Sequence, residues 1–294
     1  MMPTVSVVLP TTGERASLAA ALRSVLAQDF PGLEIIVVDD APPGATWTKV
    51  EPYPTLFADP RVRMVPFGRR IGCAAAKNAG WRAAKGTWLC YLDDDNEYRP
   101  GKIRAQHELV TRTGAPVVLC GIEYRAGGRR RCKQTEVAEF RGADRLLGAL
   151  PDTNVLFHRR DVNVRWDEEL GTADDACLFQ AILQESNLAA VPNVPEALVV
   201  YHAHQGPRAN RDGVRHYRGL RRLAVRWAHC YPRQARRVLL CRLLLAVEKQ
   251  EPGHWGRLVG RARALLREGG WREWRTIANA AGVKLPVVRR WLIT

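Results

Sequence analysis

The sequence predicts an α/β fold, a mostly parallel central sheet flanked by helices, followed by a basic helical region. Two observations predict it. Short apolar runs, too brief for helices, alternate with segments whose apolar residues recur at helical spacing. Two of these runs also end directly in aspartates, and in an open α/β sheet ligands bind at the carboxyl ends of the strands.

The elements follow in order. Residues 5–9 (VSVVL) are a buried strand, and Leu18, Leu22, Val25 and Leu26 mark a helix stopped by Phe30-Pro31-Gly32. Residues 34–38 (EIIVV) are the next strand, ending at Asp39-Asp40. This β-α-β order implies parallel strands with a right-handed crossover. After a proline-rich loop over residues 41–60, VRMV (62–65) is a third strand and 74–84 an alanine-rich helix. TWLCYL (87–92) runs into Asp93-Asp94-Asp95-Asn96. A helix after Pro100 and a strand at 117–120 (VVLC) continue the alternation. Residues 126–133 (AGGRRRCK) form an exposed basic turn or hairpin tip. Further strands are expected at 154–158 and 198–201, with a helix from Asp174 to Leu183 between them.

Composition narrows the function. The 294 residues are 46% hydrophobic and 26% charged, an ordinary globular balance. The opening MMPTVSVVLP has no basic leader and reads as a strand, and no apolar run reaches spanning length. Seven cysteines form no CxxC pair, which points to buried free thiols in a reducing compartment and away from zinc. Charge divides the chain. Residues 1–204 carry 24 Lys+Arg against 25 Asp+Glu, and residues 205–294 carry 21 against 5, so the tail holds the whole excess. The expected division is a catalytic domain over 1–212 and an Arg-rich helical region over 213–294.

Three adjacent carboxylates at a strand end repel one another unless a cation or hydrogen bonds compensate. Hard divalent cations take oxygen ligands and often join one or two carboxylates to substrate phosphates. The triplet therefore suggests a metal-diphosphate site; for these residues alone, a solvated acidic turn is the other reading.

Three ordered segments carry a resemblance: VSVVLPTTGER, SVLAQDFPGLEIIVVDDAPPG and GCAAAKNAGWRAAKGTWLCYLDDDNEYRPGKI. Over roughly residues 4–103 they resemble glycosyltransferase family 2, which has the GT-A fold. The resemblance implies a nucleotide-sugar donor, a hydroxyl acceptor, a divalent cation (Mn²⁺ or Mg²⁺) and inversion at the anomeric carbon. It places Pro10, Thr11, Thr12, Arg15 and Asp40 around the nucleotide, Lys77 at the diphosphate, and Asp93 and Asp94 near the ribose and diphosphate. Arg69 and Arg70 are further candidates at the diphosphate, and Asp95 is the metal ligand. Asp175, in the acidic pair Asp174-Asp175, corresponds to the general base, with helix capping as the alternative. In Tyr201-His202-Ala203-His204, His204 falls at a position near the metal, and Arg208 and Arg211 follow in a loop that would reach the diphosphate.

The tail leaves three readings open: amphipathic helices packing on the catalytic domain, peripheral attachment to an anionic membrane surface, and nucleic-acid binding, the least favoured. Residues 276–291 faintly resemble a helix-turn-helix. The expected location is the cytoplasm, and in the membrane reading the tail attaches the protein to the inner face of the membrane. Other functional classes are a non-catalytic nucleotide-sugar-binding or regulatory protein, and a nucleotidyltransferase, though TTGER is not a glycine-rich phosphate loop.

Overall fold

The computed structural model describes residues 4–133, 135, 138–141, 152–169, 174–203 and 219. The expected metal ligand His204, the loop residues Arg208 and Arg211, the helix-turn-helix-like stretch and the rest of the 213–294 region (Gly219 apart) lie outside the described residues. The chain divides into two units. One comprises Met1–Arg141, Pro151–Glu168 and Leu178–Gly206, and the other Gly142–Leu150, Glu169–Cys177 and Pro207–Thr294.

The first unit is built on one sheet. Strands β1 (Val5–Thr11), β2 (Leu33–Asp39), β3 (Val62–Pro66) and β4 (Trp88–Tyr91) are parallel and lie in the order β3-β2-β1-β4. In β1 and β2 the β-branched and aliphatic residues make near-continuous buried runs, as strands covered on both faces require, whereas β3 is only partly covered. Helices α1 (Leu18–Leu26) and α3 (Cys73–Ala83) supply the crossovers. Because β2 and β3 lie on one side of β1 and β4 on the other, the strand order reverses between β1 and β4. That switch point opens a crevice at the carboxyl ends of these two strands.

Beyond β4 the sheet becomes mixed. β5 (Asn96–Tyr98), β6 (Val117–Ala126), β7 (Arg129–Lys133), β8 (Glu139–Phe140), β9 (Phe157–Arg159) and β10 (Val191–His202) complete it. The short β9 runs antiparallel to both β4 and β6 and joins the two halves, while β10 pairs parallel with β6 and antiparallel with β5. Helix α4 (Lys102–Thr113) begins after the left-handed Gly101, and α5 spans Asp174–Glu185.

Several expectations are refined. The proline-rich loop contains a 3-10 turn at Trp47–Lys49 and a short helix, α2 (Tyr53–Phe57). The strand expected at 154–158 starts later. Asp152 accepts a hydrogen bond from the Asn154 amide at 2.9 Å and turns the chain through Thr153–Val155 before β9 begins. The basic segment is a hairpin, β6–β7, closed by Gly127-Gly128, both at positive φ as a tight two-residue turn requires. β10 extends back to Val191 through an irregularity between Val194 and Val199. Gly121 accommodates it, since a Cβ there would meet the Glu196 carbonyl oxygen at 2.6 Å. The described cysteines are all free; Cys90, Cys120 and Cys177 are buried as expected, but Cys73 and Cys132 are exposed. Among the described residues no helix is long and apolar enough to cross a membrane.

One contact sets the distance between α3 and the sheet. A Cβ on Gly80 would lie 2.2 Å from Val8 Cγ1 and 3.1 Å from Val38 Cγ2. Alanine favours a helix interior over glycine by about 1 kcal/mol, yet overpacking costs typically ~1–3 kcal/mol. The 2.2 Å overlap puts the cost at its upper end, so Gly80→Ala should destabilise the protein by up to ~2 kcal/mol in urea denaturation. An unchanged or higher midpoint would show that α3 is not held this close.

Candidate active site

The crevice at the switch point gathers the strand-end residues. Pro10 is tolerated inside a central strand because the β1–β4 pairing ends at Val8 and Tyr91, so no ladder bond to β4 is lost. One residue on, the Thr11 hydroxyl donates to Asp94 Oδ2 at 2.7 Å, joining the end of β1 to the segment after β4. Arg15, from the loop after β1, reaches both neighbouring carboxylates, with Nε 3.1 Å from Asp94 Oδ1 and Nη1 3.0 Å from Asp95 Oδ2. Thr12 is half-buried beside them, and its hydroxyl is 3.4 Å from Glu14 Oε2.

Asp93 has a different set of partners. Lys77, on α3 and almost completely buried, places Nζ 2.9 Å from Asp93 Oδ1. The ammonium also lies 4.7 Å from the centre of the Trp166 ring and donates to the Thr153 hydroxyl at 3.4 Å. Asn154 closes the other side, accepting from the Asp93 amide at 2.6 Å and donating to Asp93 Oδ2 at 3.1 Å. Asn78, next to Lys77, ties α3 to the chain at Trp166 by accepting from its N–H at 2.9 Å and donating to its carbonyl at 3.0 Å.

These surroundings separate the carboxyls electrostatically. Burial works against charge on Asp93, but Lys77 and Asn154 outweigh it and hold the carboxyl below its ordinary value. Burial pushes Asp94 up to about 6, against the hydrogen bond from Thr11 and the charge of Arg15. Asp40 is buried and accepts from the backbone amides of Ile71 and Gly72, at 3.0 Å for the latter, which shapes the loop leading into α3. Asp39 Oδ1 accepts from the Ala41 amide and from Trp47 Nε1. The Trp47 ring covers Gly13, where a Cβ would come within 2.2 Å of it. Arg70 pairs with Glu14, and Arg69 is exposed.

The structure thus brings Pro10, Thr11, Thr12, Arg15, Lys77, Asp93, Asp94 and Asp95 to one end of the sheet, with Asp40 at the neighbouring strand end. Asp175 lies on the first turn of α5, half-buried, in the second unit. Sequence reasoning missed Thr153, Asn154 and Trp47. The first two sit in Asp-Thr-Asn, a turn-forming triplet whose last residue opens the expected 154–158 strand, and Trp47 sits in what reads as an irregular loop.

The donor set suits a hard cation that bridges carboxylate and phosphate. All three groups are carboxylates, Asp95 is partly accessible, and two cationic side chains face three acidic ones. Among the described residues no group of three or more His, Cys, Asp or Glu side chains forms a closed metal cage. A metal here would take one or two of these carboxylates and complete its shell with water and phosphate oxygens.

This architecture is the GT-A fold. The structure of S. aureus TarS in complex with UDP-GlcNAc superposes with a TM-score of 0.63 at 16% identity, covering 94% of this chain and 79% of that one. The mannosyltransferase PcManGT of Pyrobaculum calidifontis, in complex with GDP-Man and Mn²⁺, superposes at 0.58 with 18% identity, covering 100% and 84%. The chain belongs to glycosyl transferase family 2, whose model it matches over residues 6–180. The succinoglycan biosynthesis protein ExoO of Rhizobium meliloti (strain 1021) is 30% identical over 222 residues. That match covers 70% of this chain and 62% of ExoO's length.

His158, at 2% exposure, fills the layer beneath the triplet. Its ring stacks on Tyr91 with centroids 5.7 Å apart. Nδ1 donates to the Arg159 carbonyl at 3.0 Å, which leaves Nε2 to accept from the Tyr91 hydroxyl at 3.1 Å and requires a neutral ring. Burial lowers its pKa from 6.5 to about 4. A depressed histidine contributes stability above the unfolded value and loses it as pH falls toward the folded one. Between about pH 7.5 and about pH 5 the protein should lose ~2 kcal/mol more stability than His158→Gln. Equal pH slopes for the two proteins in urea denaturation would contradict the neutral, buried assignment.

Proposed function

We propose that the protein transfers a sugar from a nucleoside-diphosphate sugar to a hydroxyl acceptor in one inverting displacement assisted by Mn²⁺ or Mg²⁺. The observation that carries this reading is the aspartate triplet at the switch point, three carboxylates against two cationic side chains, Lys77 and Arg15. A nucleoside diphosphate entering such a site brings more negative charge, and a divalent cation balances it.

In this reading Pro10, Thr11, Thr12 and Asp40 line the nucleoside. Asp93 and Asp94 face the ribose and diphosphate, and Lys77 and Arg15 lie on the diphosphate side, with Arg208 and Arg211 as further diphosphate contacts. Asp95 is the protein ligand of the metal, with His204 as a second. The metal, when bound, neutralises charge on the departing diphosphate. Asp175 accepts the proton of the acceptor hydroxyl as its oxygen forms a bond to the anomeric carbon. The bond from that carbon to the diphosphate oxygen breaks, and its electron pair leaves with the nucleoside diphosphate. Attack opposite the leaving group inverts the carbon. The donors bound in the TarS and PcManGT structures, UDP-GlcNAc and GDP-Man, support a nucleotide-sugar donor. ExoO's assignment to succinoglycan biosynthesis supports a saccharide acceptor.

Thermal-shift titration with a panel of nucleoside diphosphates, with and without Mn²⁺, tests the donor half. At least one should stabilise the protein in a metal-dependent way, by ~2–3 kcal/mol at hundredfold saturation, and Asp95→Ala should abolish the effect. Stabilisation indifferent to Mn²⁺ would remove the metal from the reading. Asp175→Asn should keep the stabilisation and lose roughly 10²–10⁴-fold in sugar transfer, the usual range for a general base. A variant that still transfers sugar at the original rate would end the base assignment.

A further inference from the structure

The sheet that carries the aspartates continues into an aromatic and cationic surface. Asn96, immediately after Asp95, pairs in register with Tyr201 on β10, Tyr201 with Tyr124 on β6, and Tyr124 with Arg131 on β7. Residues paired directly across strands share a face, and strands lie about 4.8 Å apart, so this row runs ~14 Å from the end of the triplet to the hairpin. Tyr124 and Tyr201 are half-buried with ring centroids 4.9 Å apart. Lys133 places Nζ 4.6 Å from the centre of the Tyr124 ring. By strand alternation Arg129, Arg131 and Lys133 share the tyrosines' face, and both arginines are exposed.

The two faces of the hairpin differ in charge balance. On the opposite face the buried carboxylate of Glu123 pairs with Arg99, Arg125 and Arg130 at 2.6–2.7 Å. On the tyrosine face, among the described residues, no carboxylate pairs with Arg129, Arg131 or Lys133. The crowding is felt at Lys133, whose pKa is lowered by burial and then by the charge of Arg131. Arginines on an edge strand also discourage pairing with another chain. That role does not require a tyrosine pair in register with them, nor a lysine held over a ring.

We infer that the Tyr124–Tyr201 pair with Arg129, Arg131 and Lys133 is an acceptor subsite for an anionic saccharide. Sugar rings lie on the tyrosines, and carboxylate substituents pair with the hairpin cations. The row ends at the buried Asn96, next to Asp95, which puts Tyr201 one strand and Tyr124 two strands from the end of the triplet. This rests on the glycosyltransfer reading above and names the class of acceptor for it.

The test is direct binding to the full chain, without donor or metal, followed by titration NMR. The probes are a hyaluronan hexasaccharide and pentagalacturonate, each beside a neutral chito-oligosaccharide of equal length. The acidic probes should bind ~10-fold or more tightly than the neutral ones, and the preference should shrink with added salt. The double variant Arg129→Ser/Arg131→Ser should weaken acidic binding by ~10-fold, and Tyr124→Leu by ~5-fold, while Tyr124→Phe retains it. Melting temperature and nucleoside-diphosphate affinity should stay unchanged in all three. Equal binding of acidic and neutral probes, or no loss in the arginine variant, overturns the subsite. Loss in the arginine variant without loss in Tyr124→Leu overturns the saccharide assignment, leaving a general polyanion surface. Arginine-dependent binding to phosphatidylglycerol vesicles, with no oligosaccharide binding, overturns it in favour of a membrane contact. Failure of the donor titration leaves these results readable, because no donor is present.

Discussion

The structure depends on charge compensation among carboxylates that the fold forces together at one strand end. Asp93, Asp94 and Asp95 follow β4 without interruption, so their spacing is fixed by the backbone. Lys77 with Asn154 holds Asp93, Thr11 with Arg15 holds Asp94, and Arg15 also reaches Asp95. Each partner comes from a different part of the chain: α3, the turn before β9, the end of β1 and the loop after it. The electrostatic requirement of three residues thereby fastens four separate segments to the switch point.

The surrounding packing keeps those partners in register. Lys77 can extend to Asp93 only because α3 lies close against the sheet, which Gly80 allows over Val8 and Val38. Asn78 then anchors the same helix to the chain at Trp166, whose ring receives the Lys77 ammonium. Below the triplet, neutral His158 is hydrogen-bonded to Tyr91, and Tyr98 donates to the Tyr91 carbonyl at 2.6 Å. A buried polar layer of this kind is stable only when each group has its partner, which makes the floor of the site rigid.

Much of this was legible in sequence, for physical reasons. Buried parallel strands such as IIVV and VSVVL read as continuous apolar runs, so β1, β2 and β4 were found, and with them the strand-end aspartates. Local signals also sufficed for the Gly127-Gly128 hairpin. What local signals do not carry is long-range pairing. Nothing near Arg15 in sequence says that it bridges Asp94 and Asp95, 79 and 80 positions away. Asn154 sits in an apolar stretch that reads as strand until the Asp152 turn is seen. Asp40 looks like a ligand-binding aspartate, and in the fold it also organises the loop before α3 through two backbone amides. The antiparallel β9, three residues long, offers too short a pattern to reveal the join between the two halves of the sheet.

We propose this compensated triplet as the metal-diphosphate site for sugar transfer. Anomalous diffraction from crystals grown with Mn²⁺ and the nucleoside diphosphate the protein binds addresses it most directly. A manganese peak is expected within ~2.0–2.3 Å of an Asp95 carboxylate oxygen and of the diphosphate oxygens, hard-oxygen coordination distances for a cation of this class. A nucleotide bound at the ends of β1 and β4 with manganese elsewhere, or coordinated by none of Asp93, Asp94 and Asp95, would contradict it.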